Sequence, residues 1–240
     1  MAHLDGDQKS KYVADLFGRI AKRYDLLNTV MTGGRHYSWR AKASDMACDT
    51  NLSGHVLDVA SGTGDFALTL ITKPNVDSVV CLDYTPNMLH EAVQKARNKD
   101  KAGKVSFVLG DAHTLPLPDE LFISVTVGFG VRNFVHISTA LSEMYRVLKS
   151  GGKLVILEIV RLENETMFKR IIEKYFRYVT PWIGTVLAGD REAYTYLPQS
   201  VENFLSVGEL CIAMENAGFR NVMFKTTALG TVATVVGTRV

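Results

Sequence analysis

Cysteine, proline and tryptophan are scarce: 3, 6 and 2 in 240 residues. Cys48, Cys81 and Cys211 are odd in number, far apart and without a CxxC pair. That excludes a disulfide framework, argues against a zinc site and leaves them as expected buried thiols, with no metal required. Charge of one sign is lacking too. Twenty-seven Lys plus Arg face 25 Asp plus Glu, a net +2, which is not the dense positive field of a dedicated nucleic-acid binder. No run reaches the roughly 18 apolar residues of a membrane-spanning helix. The opening Met1-Ala-His-Leu-Asp-Gly-Asp has neither an apolar core nor a cleavage pattern, so a cytoplasmic location is expected. Internal repeats and low-complexity linkers are also missing. What is present, 47% hydrophobic and 22% charged residues, suffices for one sizeable domain.

The chain reads as 1–240 in one unit: a helical N-terminal cover (1–52), a core (53–160), a helical insertion or lid (161–206), and a last helix with a hairpin (207–240). In the cover, Val13, Leu16, Phe17, Ile20 and Tyr24 share one side of a 3.6-residue repeat. From residue 53 onward short β-rich runs alternate with helical ones, the pattern of a parallel sheet with crossover helices. Strands are expected at 56–60, 78–82, 105–109, 123–127 and 153–159. Helices are expected at 65–71, from Thr85-Pro86 with Thr85 as cap, and at 137–148, ended by Ser150-Gly151-Gly152. A final helix over 209–216 leads into two strands, 221–226 and 232–236, close enough to pair as a hairpin. The fold class is therefore α/β: a doubly wound, mostly parallel seven-stranded sheet with a C-terminal antiparallel hairpin.

The first strand runs through Asp58 into Gly62-Thr63-Gly64 and directly into a helix, where an open parallel sheet holds a ligand. Gly62-x-Gly64-x-x-Ala67 also satisfies a relaxed dinucleotide pattern. Asp83, 19 residues after Gly64, ends the second strand, where a carboxylate can accept both hydroxyl hydrogens of a ribose. That spacing fits NAD and S-adenosylmethionine alike. Gly110-Asp111-Ala112 ends the third strand beside an expected adenine, and the terminal hairpin favours methyl transfer over a dehydrogenase.

In that order, Asp58 to Gly64, Asp83 and Gly110-Asp111-Ala112 resemble the motifs of class I S-adenosylmethionine-dependent methyltransferases. Further segments narrow the likeness: Tyr24-Asp25-Leu26-Leu27-Asn28 with His36 and Trp39, Gly128-Phe129-Gly130-Val131-Arg132-Asn133, and Arg146 to Gly152 with Glu158. With Gly189-Asp190, Glu192-Ala193-Tyr194 and Tyr196-Leu197-Pro198, they resemble the ubiquinone/menaquinone biosynthesis C-methyltransferase family over about residues 13–237. Ser150 stands where that family usually has proline, Ile159-Val160 where it has Phe-Ser, and Leu229 and Val235 where it has Gly and His.

The resemblance implies S-adenosylmethionine as cofactor, with Asp58, Gly62, Thr63, Gly64, Asp83, Asp111, Ala112 and Gly128 around it. It implies a lipophilic quinol as acceptor, most simply demethylmenaquinol going to menaquinol. A ring carbon becomes nucleophilic once a ring hydroxyl ionises, so something must favour the phenolate and something must take the proton. Arg132 and Asn133, after the fourth strand, suit the first task, because a guanidinium and an amide offer several donors. Arg132 is no base. Tyr24 and Asp25 would hydrogen-bond the quinol or close over it. His36 is an alternative base or a structural histidine; His55, His90, His113 and His136 show no partner pattern.

Residues 167–187 pair an apolar face, Met167 to Val179, with basic Lys169, Arg170, Lys174 and Arg177. They read either as a packed helix or as a lid in peripheral contact with an anionic membrane. A homodimer stays open. Rival readings are a benzoquinol or other phenolic acceptor, a non-catalytic S-adenosylmethionine-binding regulatory subunit, and an NAD-dependent oxidoreductase.

Overall fold

The computed structural model describes residues 6–162 and 191–240. Three helices come first: α1 (Gly6–Ile20), α2 (Tyr24–Thr32) and α3 (Arg35–Cys48), with a 3₁₀ turn over Ala21–Arg23 between α1 and α2. The core follows as β1 (Gly54–Val59), α4 (Asp65–Leu70), β2 (Val76–Asp83), α5 (Pro86–Asn98), β3 (Val105–Leu109), β4 (Phe122–Gly128), α6 (Ile137–Val147) and β5 (Leu148–Ile159). Later described elements are α7 (Arg191–Glu202), α8 (Val207–Asn216), β6 (Arg220–Thr227) and β7 (Val232–Thr238).

Seven strands form one sheet in the order β3-β2-β1-β4-β5-β7-β6, parallel except for β7, which is antiparallel to both β5 and β6. Strand order reverses at the β1/β4 junction, and a crevice opens there beyond the carboxyl ends. Period-2 alternation sends side chains to two cores. Leu154 and Ile156 join Leu57, Val125, Met144, Leu210 and Phe219 on one face; Val155 and Leu157 join Ala43, Val56, Phe66, Val79 and Ile123 on the other. The expected α/β class and hairpin are thus present.

Three details differ from the expectation. Ser150-Gly151-Gly152 does not stop before a strand but lies inside β5. The end of β7 captures it: Gly151 N–H donates to Arg239 O at 2.8 Å and Arg239 N–H to Gly152 O at 2.9 Å, with Gly151 at φ +78°. Thr85 occupies the N-cap of α5, yet its side chain makes no cap bond; Asp83 Oδ1 instead accepts from the Thr85 N–H at 2.8 Å. Only Cys81 is fully buried, while Cys48 and Cys211, on helix surfaces, are half-buried. The expected lid over 167–187 lies outside the described residues, but α7, within the 161–206 segment, is seen to reach the N-terminal cover, where Tyr196 meets Tyr12 edge to face with centroids 5.9 Å apart. Among the described residues no helix is long and apolar enough to cross a membrane.

The tips of β1 and β4 touch. Two non-glycine residues there take left-handed backbone, Ala60 at φ +51° and Phe129 at φ +61°, a strain that tends to gather at functional sites. Gly130 lets them meet, since a Cβ on it would come within 2.7 Å of the Ala60 Cβ and 3.1 Å of Val127 Cγ1. Gly130→Ala is therefore expected to cost about 1–3 kcal/mol through overpacking. Gly103→Ala, whose Cβ meets nothing within 4 Å, should be neutral or slightly stabilising. Urea midpoints of the two variants check this; equal midpoints would contradict it.

Candidate active site

The crevice at the strand reversal divides into three connected spaces. The largest, about 770 Å³, is a cleft over the ends of β1, β2, β3 and β4, lined among others by Gly62, Asp83, Met88, Asp111, Ala112 and Gly128. A polar recess of about 290 Å³ continues from it beneath the glycine loop, bounded by Asp58, Ser61, Thr63, Asp65, Gly128 and Arg40 of α3. On the other side lies an apolar cavity of about 680 Å³ between the helical cover and β4, lined by residues such as Leu16, Ile20, Met31, Trp39, Arg132 and Tyr196. Tyr24 borders all three, and Phe17 and Phe129 border both cleft and apolar cavity.

Asp83 holds the glycine loop in place: Oδ2 accepts from the Gly62 N–H at 2.7 Å while Oδ1 takes the Thr85 N–H. Each oxygen keeps a second lone pair for a ligand hydroxyl. Burial pushes this carboxyl above its usual range, and the backbone bonds pull it back. Asp111 accepts from both the backbone N–H and Nδ1 of His113, at 2.9 and 2.5 Å. His113 Nε2 in turn accepts from the His136 N–H, so the ring is a buttress that spacing did not reveal. Gly128 leaves room that a Cβ would take from Phe66 Cδ1, 2.9 Å away. Two acceptors on strand ends, the apolar Leu82 and Met88, and a polar recess fit a ribonucleoside carrying an amino-acid tail.

Asp58 lies deeper than its motif suggests, in the recess rather than the cleft. Oδ1 accepts from Thr126 Oγ1 at 2.8 Å, Oδ2 has no partner, and burial, partly offset by the Thr126 bond, pushes its pKa to about 7. Gly64 reaches none of the three spaces. Its Cβ would lie 3.2 Å from the Ala92 Cβ, so its smallness seats α4 against α5. Thr63 commits its hydroxyl to the protein, donating to Asp25 Oδ1 at 2.6 Å and accepting from Lys95 Nζ at 3.0 Å.

Asp25 likewise differs from its expected role. Besides Thr63 it pairs with Lys95 at 2.5 Å, and it borders none of the three spaces. Lys95 also binds Asp65 at 2.7 Å and, although burial works the other way, holds that carboxyl below its usual range. One ammonium thus joins α2, the glycine loop, α4 and α5.

Arg132 and Asn133 come together beside β4. Arg132 Nη1 donates to Glu158 Oε1 at 2.5 Å and to Phe129 O at 2.7 Å, and its backbone N–H reaches Glu158 Oε2 at 3.2 Å. Both side chains are buried, and the Arg132 Nε has no partner. Burial alone would lower this guanidinium, but the Glu158 charge wins and holds it above its ordinary value. Asn133 Oδ1 accepts from the Tyr196 hydroxyl at 3.1 Å.

His36 borders the apolar cavity but is not a free base. Arg40 Nη1 donates to Nδ1 at 2.5 Å, so the proton sits on Nε2, facing Thr29 Oγ1 at 3.2 Å, while the Thr29 hydroxyl donates onward to Asp25 O. Burial first, then the neighbouring Arg40 charge, lower its pKa to about 4.

The sequence model of the ubiE/COQ5 methyltransferase family matches residues 5–239. The demethylmenaquinone methyltransferase of Deinococcus radiodurans is 42% identical over 216 residues, 90% of this chain and 88% of that one. The ubiquinone/menaquinone biosynthesis C-methyltransferase UbiE of Rickettsia felis is 37% identical, covering 96% and 93%. Among solved structures, an S-adenosylmethionine-dependent methyltransferase from Thermotoga maritima shares the fold with a TM-score of 0.65 and 22% identity, over 94% of this chain and 99% of that one.

The depressed His36 pKa has a measurable sign. Unfolded, the imidazole gains a proton below about 6.5; folded, it resists until about 4. Its contribution, up to about 3 kcal/mol, is present above pH 6.5 and lost as pH falls toward 4. Nitrogen-15 NMR of the ring should show an Nε2–H tautomer with no titration between pH 5.5 and 8; an inflection near 6.5 would contradict the assignment.

Proposed function

Because the chain belongs to the ubiE/COQ5 methyltransferase family, we propose that it moves a methyl group from S-adenosylmethionine to a ring carbon of demethylmenaquinol, giving menaquinol. It is an S-adenosylmethionine-dependent methyltransferase of quinone biosynthesis. The observation that carries the acceptor's chemistry is the apolar cavity abutting the cleft across Tyr24 and Phe129, with Arg132, paired to Glu158, among its lining residues. A prenylated ring suits an apolar cavity, and a ring oxyanion suits a guanidinium on its wall.

When bound, S-adenosylmethionine supplies an electrophilic methyl group on a positively charged sulfur. Asp83, Gly62, Asp111, Ala112 and Gly128 would hold it in the cleft, with Asp58 and Thr63 bounding the recess beside them. Arg132, anchored by Glu158 through Nη1, brings its charge to the cavity wall, where it favours the ionised ring hydroxyl, whose negative charge raises the nucleophilicity of the ring carbon. The Asn133 amide, its oxygen held by Tyr196, borders the cleft rather than the apolar cavity. Tyr24 separates cleft from cavity and can bear on both reactants. Neither Arg132, which stays protonated, nor His36, whose Nδ1 is occupied, takes the ring proton. The apolar walls exclude water from the carbon and so favour approach of the two reactants. Asp25 acts at a remove, fixing the cover on the glycine loop.

Purified chain supplied with S-adenosylmethionine and demethylmenaquinol under reducing conditions should yield menaquinol by mass spectrometry, and the oxidised quinone should be inert. Preference for a polyprenyl benzoquinol would move the acceptor to the ubiquinone branch; activity on neither would end the reading. Arg132→Ala should lower kcat by about 10²–10³-fold, as for loss of an oxyanion donor. Its affinity for S-adenosylhomocysteine should stay within about threefold, since Arg132 borders the acceptor cavity rather than the cleft.

A further inference from the structure

The helical cover has an outer face as well as the inner one that lines the acceptor cavity. On α2, Tyr24, Asn28, Met31 and Thr32 border that cavity, and Leu27 is buried. Leu26 and Val30, one turn apart on the same helix, point the other way and are 54% and 44% exposed. Tyr37 of α3, 51% exposed, lies against α2, its hydroxyl 3.5 Å from Thr29 Oγ1. Apolar side chains scattered singly over a surface need no explanation, but these three sit together, with cations close by in the chain. Of the six charged residues from Lys22 to Lys42 five are basic, and Lys22, Arg23, Arg35 and Lys42 are exposed. The one acid, Asp25, is already paired with Lys95. The rest of the chain carries 22 basic against 24 acidic residues, so the excess positive charge is concentrated on the cover.

We propose that this outer face docks on an anionic lipid surface, with Leu26 and Val30 entering the headgroup region and Lys22 and Arg35 meeting lipid phosphates. Helices with apolar residues on one side and flanking Lys or Arg lie on membranes in this way, and each cation near the surface adds to the attraction. Charge decides between occupants: a second copy of the chain would bring the same cations face to face, whereas an anionic membrane complements them. α2 then stands between lipid and acceptor cavity, Leu26 and Val30 toward the first, Asn28 and Met31 toward the second. The cavity lies one helix diameter, about 10 Å, from the lipid. A prenylated acceptor dissolved in that lipid would reach it without crossing bulk water. This last step rests on the quinol reading; the docking does not. The face is built without residues 167–187, where sequence pattern alone suggests such a contact.

Sedimentation of the full chain with vesicles tests the face directly. At low ionic strength the chain should partition at least about tenfold more strongly onto phosphatidylcholine vesicles containing phosphatidylglycerol than onto phosphatidylcholine alone. Lys22→Gln with Arg35→Gln, and separately Leu26→Ser with Val30→Ser, should each weaken that partition at least about fivefold. Lys99→Gln with Lys104→Gln removes the same charge near the start of β3, at the opposite end of the sheet, and should weaken it less than about twofold. All three variants should turn over a demethylated naphthoquinol without a prenyl tail, in the absence of vesicles, within about twofold of the unaltered chain. No preference for the anionic vesicles, or equal losses at the two ends of the sheet, would overturn the proposal. So would a dimer in solution that Leu26→Ser with Val30→Ser dissolves, which would assign the face to a second copy. Partition as expected with no turnover by the unaltered chain would overturn the quinol reading and leave the docking face standing.

Discussion

The polar seam between the helical cover and the glycine loop depends on one ammonium group. Lys95 on α5 bonds Asp25 of α2, Asp65 of α4 and Thr63 of the glycine loop, joining four parts of the chain through a side chain that is largely buried. Without it, two carboxylates would face each other across the loop with only the Thr63 hydroxyl, which donates to Asp25, between them. That anchorage sets Tyr24, next to Asp25, at the meeting of the three spaces, while α3, which carries His36 and Arg40, is seated by Ala43 and Ala47 in the apolar core.

Phe129 is the second hinge of the arrangement. Its left-handed backbone is tied at both ends, its N–H donating to Leu157 O at 2.7 Å and its carbonyl accepting from Arg132, while its ring lies under Arg40. A strained residue persists where its surroundings over-determine it, and these contacts do so. Two guanidiniums from distant parts of the sequence thereby share one aromatic residue, and each faces a different space.

How much of this was legible followed from sequence separation. The β-α alternation, the glycine loop, Asp83 and Gly110-Asp111-Ala112 are local patterns, and each lies where local pattern places it. Partnerships across the chain are not written locally. Asp25 finds Thr63 across 38 residues, Arg132 finds Glu158 across 26, and nothing in the neighbourhood of Lys95 marks it as a hub. Gly64 read as a ligand contact because glycine is favoured for close approach of any kind; the approach here is by Ala92. Ser150-Gly151-Gly152 read as a turn because its glycines fit one equally well, and only Arg239 from the far end makes it strand. The state of His36 was within reach: Arg40 is four residues on, where side chains on a helix meet. Weighing that pair would have removed the histidine from the candidate bases.

The two buried arginines differ in what they ask of a ligand. Arg132 already has Glu158, so the net field of the pair is small. In the proposed reaction that suits a phenolate, whose charge is greatest before methyl transfer and disperses as the carbon bond forms. Were Arg132 unpaired, it would hold the ionised ring more firmly than the transition state, where that charge has dispersed, and the gain in ionisation would be offset by slower transfer. Arg40, with no described carboxylate beside it, is held instead by His36 Nδ1 and the Phe129 ring. Glu158 beside one guanidinium and none of the described carboxylates beside the other thus set two electrostatic environments within one crevice, a balanced pair on the apolar cavity and a net charge on the polar recess.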